Sequence, residues 1–179
     1  MKKTSTLVAF ALLLVASLAQ AQTGTTAPTN NVNLTVAAEA GLTIAGDANL
    51  TSVGTNFSNY TGTTNFTYYV RTAAGGGLGS INLKVTSDFN GTGGPSVTTP
   101  PTGGDALTYL NTISAPGSAV AGSQTASTAS TTPVATFGPD AHSTKAGNSG
   151  SVAWTLSNDP LYKTGSYTAV VTFTISAVS

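Results

Sequence analysis

Tyr167-Thr168-Ala169-Val170-Val171-Thr172-Phe173-Thr174-Ile175 is the longest alternation in the chain. Tyr167, Ala169, Val171, Phe173 and Ile175 fall on one side, and Thr168, Val170, Thr172 and Thr174 on the other. Successive side chains of a strand point to opposite faces, so a period of two with one apolar side predicts a strand lying on a core. Tyr167, Val171, Phe173 and Ile175 are therefore expected in the interior.

Outward from this segment the same rhythm recurs. Val152, Trp154 and Leu156 alternate with Ser151, Ala153 and Thr155, which assigns Trp154 and Leu156 to the core, and Pro160 closes the segment because proline cannot donate to a ladder. Ile81, Leu83 and Val85 form another set, and Phe66, Tyr68 and Val70 a fourth. Gly75-Gly76-Gly77 lies between those two and permits a turn, so the pair is a candidate hairpin. Val32, Leu34, Val36 and Ala38 alternate with Asn33, Thr35, Ala37 and Glu39, with a short continuation at Leu42 and Ile44 after Gly41. Residues 106–113 and 134–137 have strand character. Residues 90–104 read as a loop, and 114–132 as a loop or weak edge strands. Apolar spacing of three and four residues is missing after the N-terminal segment. The expected class is all-β: an antiparallel immunoglobulin-like β-sandwich of about seven or eight strands with long Gly/Ser/Thr-rich loops.

At the N-terminus, Lys2 and Lys3 precede an apolar run over residues 7–18 and the small-residue pattern Ala19-Gln20-Ala21. This is the layout of a secretory signal peptide, with cleavage expected after Ala21. The run is about 12 residues, and a membrane-spanning helix needs about 20. The expected organisation is a signal peptide at 1–21, a flexible segment at 22–31 and one sandwich domain at 32–179. The location is outside the cytoplasm: periplasm, cell surface or medium. No later segment is long and apolar enough for a spanning helix. The processed chain keeps Arg71, Lys84, Lys145 and Lys163 against Glu39, Asp47, Asp88, Asp105, Asp140 and Asp159. A net charge of about −2 disfavours nucleic acid as a partner. The chain has no cysteine, so stability must come from the core or from assembly rather than from disulfides. Only 7% of residues are charged, and Thr, Ser, Asn and Gly do the solvating.

Catalytic signatures are weak. His142, the single histidine, sits in Gly138-Pro139-Asp140-Ala141-His142, a turn-like string. Gly147-Asn148-Ser149-Gly150 looks superficially like a nucleophile loop, and a hydrolase would need Ser149, His142 and an acid to converge. Asp140 and Asp159 flank the Trp154 strand and are the acid pair to test for convergence, although carboxylates scattered singly through turns are ordinary turn residues. There is no cysteine cluster and no calcium-loop spacing, so no cofactor or metal is expected. Among six tyrosines, Tyr60 and Tyr69 are the candidates for stacking against a sugar, which makes a polysaccharide a candidate ligand.

Two end segments carry family resemblances. Gly165-Ser166-Tyr167 followed by the Val/Thr strand resembles the closing strand of spore coat protein U-like domains and of fimbrial subunits. Residues 33–44, Asn33-Leu34-Thr35-Val36 onward, look like the opening strand of cysteine-free fimbrial major subunits. Trp154-Thr155-Leu156 is similar to the wall-binding WxL motif, although that motif lies at the extreme C-terminus of its family and a full strand follows it here. The fimbrial resemblance implies strand addition, with Val32, Leu34, Val36 and Ala38 inserted into a neighbour. The residue pattern alone also allows an ordinary first strand paired inside its own domain. The resulting expectation is a non-enzymatic exported structural protein of a fimbria-, coat- or surface-type assembly, with self-association or periplasmic assembly partners. The alternative is a monomeric secreted binding module for a polysaccharide or a protein.

Overall fold

A computed structural model describes residues 30–178. The expected signal peptide, and the flexible segment up to residue 29, lie outside the described residues. Val36 onward forms one compact unit, and residues 30–35 belong to a separate one.

The compact unit is an antiparallel β-sandwich, and no helix occurs among the described residues. Its ten strands are β1 (Glu39–Ile44), β2 (Thr51–Ser52), β3 (Tyr60–Arg71), β4 (Gly79–Ser87), β5 (Leu107–Ile113), β6 (Ser118–Ala119), β7 (Gln124–Thr125), β8 (Thr132–Phe137), β9 (Asn148–Leu156) and β10 (Val170–Ala177). Three of these are only two residues long, which leaves seven substantial strands, in line with the expected number. One sheet runs β1-β3-β9-β5-β7, with β2 on the same edge of β3 as β1, and the other runs β10-β4-β8-β6. β6 and β7 are the weak edge strands of the Ser/Thr/Ala-rich stretch.

The expected hairpin between the Phe66 and Ile81 segments does not form. β3 and β4 lie in different sheets, and residues 72–78 cross between them. Each strand has a strongly apolar face that must be hidden. As hairpin partners in one sheet, Phe66, Tyr68 and Val70 would stand beside Ile81, Leu83 and Val85 and still need a cover. In opposite sheets the two sets cover one another. All six are buried, together with Leu107, Tyr109, Val134, Phe137, Val152, Trp154 and Leu156. Rings interlock across the interior: Tyr68 lies 5.2 Å from Phe137, and Phe66 6.0 Å from Phe173. Gly150 makes room for the first of these strands, since a Cβ there would stand 2.3 Å from the Phe66 ring.

Of the residues assigned to the core, Trp154 and Leu156 are buried, and Val171, Phe173 and Ile175 are partly buried against the core. Tyr167 departs from expectation. It precedes β10, is half-buried, and lies over a glycine patch rather than in the interior. A Cβ at Gly94 would fall 2.0 Å from its ring, and its hydroxyl donates to the Lys163 carbonyl at 2.8 Å. The alternation predicts which side Tyr167 takes. The reach of β4, whose Ser87 pairs with Val170, decides where the sheet stops.

Loop 88–98 hangs on one carboxylate. Asp88 accepts from the Val97, Phe89 and Thr98 amides at 2.7, 2.8 and 3.1 Å, and from the Ser96 hydroxyl at 2.7 Å. Partial burial pushes the Asp88 carboxyl up, and these four bonds outweigh it, leaving a pKa of about 2 against the ordinary 3.8. The folded value is the lower one, so the contribution to stability is complete above about pH 4 and is lost as pH falls through about 2. Asp88→Asn is expected to cost about 1–2 kcal/mol at pH 7 in a urea titration. The difference from wild type should shrink as pH falls from about 4 and go on shrinking through about 2.

Candidate functional site

One flank of the sandwich is open. β10 ends the second sheet and β1 ends the first, and the two lie against each other at this side. An edge strand presents unpaired backbone N–H and C=O groups, a template for another strand. The core beneath β10 is also thinly covered. Its inward residues Val171, Phe173, Ile175 and Ala177 are only partly buried, whereas Ile81, Leu83 and Val85 on neighbouring β4 are at most 1% exposed. Outward from β10, Thr172 and Ser176 meet Thr86 and Ser80 at 3.0 and 3.2 Å, and Lys84, the ladder partner of Thr172, is on the same outer face.

The segment assigned to strand addition precedes β1 in the chain. Val32, Leu34 and Val36 are 91%, 84% and 58% exposed, and Ala38 is half-buried. Residues 30–38 hold no strand, which corrects the expectation that the alternation starts a strand at Val32. The first ladder pair is Glu39 opposite Arg71, where β3 ends. Past Arg71 the backbone turns away, and the Thr72 amide donates to the Ala141 carbonyl at 3.0 Å. β3 therefore offers no partner to residues before Glu39. An alternating apolar segment is left without a ladder and in water.

Two exposed-side polar contacts fix the root of that segment. Arg71 Nε donates to the Ala37 carbonyl at 2.8 Å, and its Nη2 donates to Glu39 Oε2 at 2.7 Å. Arg71 and Glu39 carry no motif in the sequence, and their one signal is that Arg71 is the last residue of an alternating run and one of the few cations. A cleft of about 560 Å³ opens beside this root, lined by Val36, Ala38, Arg71, Asp140, His142 and Val178 among others.

The remaining candidates are dispersed. Tyr60 and Tyr69 both lie on β3, nine residues apart. An odd separation puts them on opposite faces, about 30 Å apart along the strand, so they cannot form one stacking platform. Tyr60 packs on the core, and the outward Tyr69, 39% exposed, has Gly41 and Gly147 against its ring. His142 Nε2 stands 3.6 Å from Asp140 Oδ1, and both side chains are more than half exposed. His142 bridges to Arg71, whereas Ser149 pairs with Thr67, four residues or about 13 Å back along β3. Ser149 Oγ bonds instead to Ser114 Oγ at 2.8 Å. Asp140 lies at the Arg71 end of the sandwich. Asp159 follows Leu156, which pairs with Tyr60 at the other end, so this acid pair does not converge.

Asp159 is a loop staple. It accepts from the Thr102 hydroxyl and the Leu161 amide, and the Thr102 bond leads in holding its carboxyl below the ordinary range. Nearby, burial first and then Asp105, Asp159 and Tyr60 push the Tyr162 phenol up to about 12. A group this reluctant to ionise stays a neutral phenol across the accessible pH range. Among the described residues, no group of three or more His, Cys, Asp or Glu side chains is placed to hold a metal ion. No family model, curated protein or solved structure matches the chain.

Proposed function

We propose that the chain is a non-enzymatic structural subunit of an exported fimbria-, coat- or surface-type assembly, joined by β-strand addition between copies. One observation carries this reading: an alternating apolar segment, Val32, Leu34 and Val36, is exposed to water, and the sandwich that follows it has a free edge over a thinly covered core. Exposing three aliphatic side chains at alternate positions is costly in a finished monomer. Burying them in a neighbour recovers about 1.5–3 kcal/mol each. In strand addition, backbone hydrogen bonds supply affinity and alternate side chains fill pockets, which matches what the donor and the edge each lack. Residues 32–38 extend over about 20 Å, close to the length of β10.

The geometry favours a fibre over a closed pair. The root of the donor at Glu39 and the last residues of β10 share one end of the sandwich, since Glu39 pairs with Arg71 and Ala177 with Gly79 across the 72–78 crossover. A donor running antiparallel to β10 of the next copy begins at that end and finishes at the opposite one, where its own body starts. The bodies then stack head to tail, and a heterologous contact of this kind propagates into an open filament. Parallel addition would instead bring like ends together and close a dimer.

Size-exclusion chromatography and electron microscopy of the processed chain test this reading directly. The chain from residue 22 is expected to form filaments and detergent-resistant ladders, and the same chain lacking residues 22–38 is expected to remain a folded monomer. A processed chain that stays monomeric at high concentration would overturn the reading.

A further inference from the structure

We infer that Arg71 is the positioning residue for the donor segment: its guanidinium clamps the segment's root at Ala37 and Glu39. The inference rests on the strand-addition reading for its purpose, but its geometry stands alone.

Arg71 is held from behind. On the side away from β1, the Thr72 amide donates to Ala141 O at 3.0 Å, and the Ser143 amide to Val70 O at 2.9 Å. The Thr72 hydroxyl is bonded by the Ala141 amide at 2.8 Å and donates to Gly138 O at 2.7 Å. Ser143 Oγ receives the Val70 amide at 3.0 Å. With its backbone locked to this segment, Arg71 projects its side chain over the start of β1. There the planar fork makes two separate bonds, one to the carboxylate of its ladder partner Glu39 and one to the carbonyl of Ala37, two residues beyond the ladder. The second bond does no work for the sheet, because β3 has already ended. Its effect is to hold the backbone at residue 37 in one direction. Only a guanidinium supplies two donors in this fixed arrangement, whereas an ammonium acts as a single point charge.

Clamping the root matters for addition. A donor free to swing about Glu39 loses orientational freedom when it pairs with a neighbour, and that loss opposes assembly. A root already fixed has less to lose. The guanidinium side chain is 39% exposed and that of Glu39 72% exposed, so the ion pair adds little to the stability of the sandwich itself. The contacts are therefore placed to order the segment more than to hold the fold.

Backbone nitrogen-15 relaxation on the monomeric chain at low concentration tests the clamp apart from assembly. In Arg71→Gln, the order parameters at residues 36–38 are expected to fall from about 0.85 to below about 0.6, with the melting temperature within about 2 °C of wild type. Arg71→Lys should give intermediate values, since it keeps the charge and loses the fork. Added salt should lower the order parameters at these residues in wild type and leave Arg71→Gln unchanged, a dependence that mere packing would not produce. Unchanged order parameters in Arg71→Gln overturn the inference. If wild type also assembles, Arg71→Gln should slow its elongation several-fold. A wild type that never assembles sinks the strand-addition reading while the relaxation result still decides the clamp.

Discussion

Leu34→Asp is expected to raise the concentration needed for assembly by a factor of 10² to 10³, with the fold of each subunit intact. If Leu34 fills a pocket over the β10 flank, replacing it removes an aliphatic contact of about 1.5–3 kcal/mol and places a carboxylate in the space. A buried carboxylate without a partner adds a further penalty of at least 1–3 kcal/mol. The pocket offers no relief, because the inward residues of β10 are Val171, Phe173, Ile175 and Ala177 and carry no cation. The two add to about 2.5–6 kcal/mol, and the lower half of that range, about 3–4 kcal/mol, converts to two to three decades in an equilibrium constant. The control is built into the period of the strand. Asn33 and Thr35 take the opposite side, so Asn33→Asp and Thr35→Asp should leave assembly within a few-fold of wild type. Sedimentation or light scattering across a dilution series reads all three variants. Equal damage from Thr35→Asp and Leu34→Asp would mean that the segment does not insert as a strand. Leu34 is 84% exposed, so the melting temperature of the monomer should not move, which separates an assembly defect from misfolding.

The alternation that predicts Leu34 as inward also shows what a sequence can and cannot disclose. Period two in residues 167–175, 151–156, 81–86 and 65–71 places β10, β9, β4 and β3, because the sandwich needs one apolar face per strand and those residues supply it. The pairing of strands is not local and was not legible. Phe66, Tyr68, Val70 and Ile81, Leu83, Val85 are compatible with a hairpin or with facing sheets, and what decides is the requirement that both faces be covered at once. Residues 32–38 carry the same rhythm as β3 and yet hold no strand, since a strand exists only where a partner edge continues, and β3 stops at Arg71. Tyr167 fails for a related reason: β4 runs out at Ser87, and the ring settles on Gly94 instead. The candidate site was half legible. Its apolar residues follow from the pattern, while the open edge beside them and the Arg71–Glu39 clamp depend on the order of strands across the sheets, which single residues do not encode.

Trp154→Ala is expected to cost about 3–5 kcal/mol, the largest loss from any single truncation in the interior. Trp154 is the only tryptophan, sits on the central strand β9 between β3 and β5, and is 4% exposed. Its ring centroid lies 5.4 Å from that of Tyr109, and its indole Nε1 donates to the Thr64 hydroxyl at 2.8 Å with both groups buried. Truncation removes the ring contacts, leaves a cavity between the sheets and deprives Thr64 of its partner, three losses with no compensating gain. Trp154→Phe separates them. It keeps most of the packing and forfeits the hydrogen bond, so about 1–2 kcal/mol should be lost. For a domain of this size, 3–5 kcal/mol corresponds to a fall in melting temperature of about 6–20 °C. Far-ultraviolet circular dichroism in a urea titration measures both variants, since the intrinsic fluorophore is itself removed. The m-value should stay constant, because the same surface is exposed on unfolding. If filaments are held by added strands, they should report the loss as well: a subunit this weakened offers an unstable edge, and ladders that survive detergent in wild type should dissociate in Trp154→Ala. A cost below 1 kcal/mol would mean that β9 does not carry the centre of the sandwich, and the flank built around that core would lose its basis.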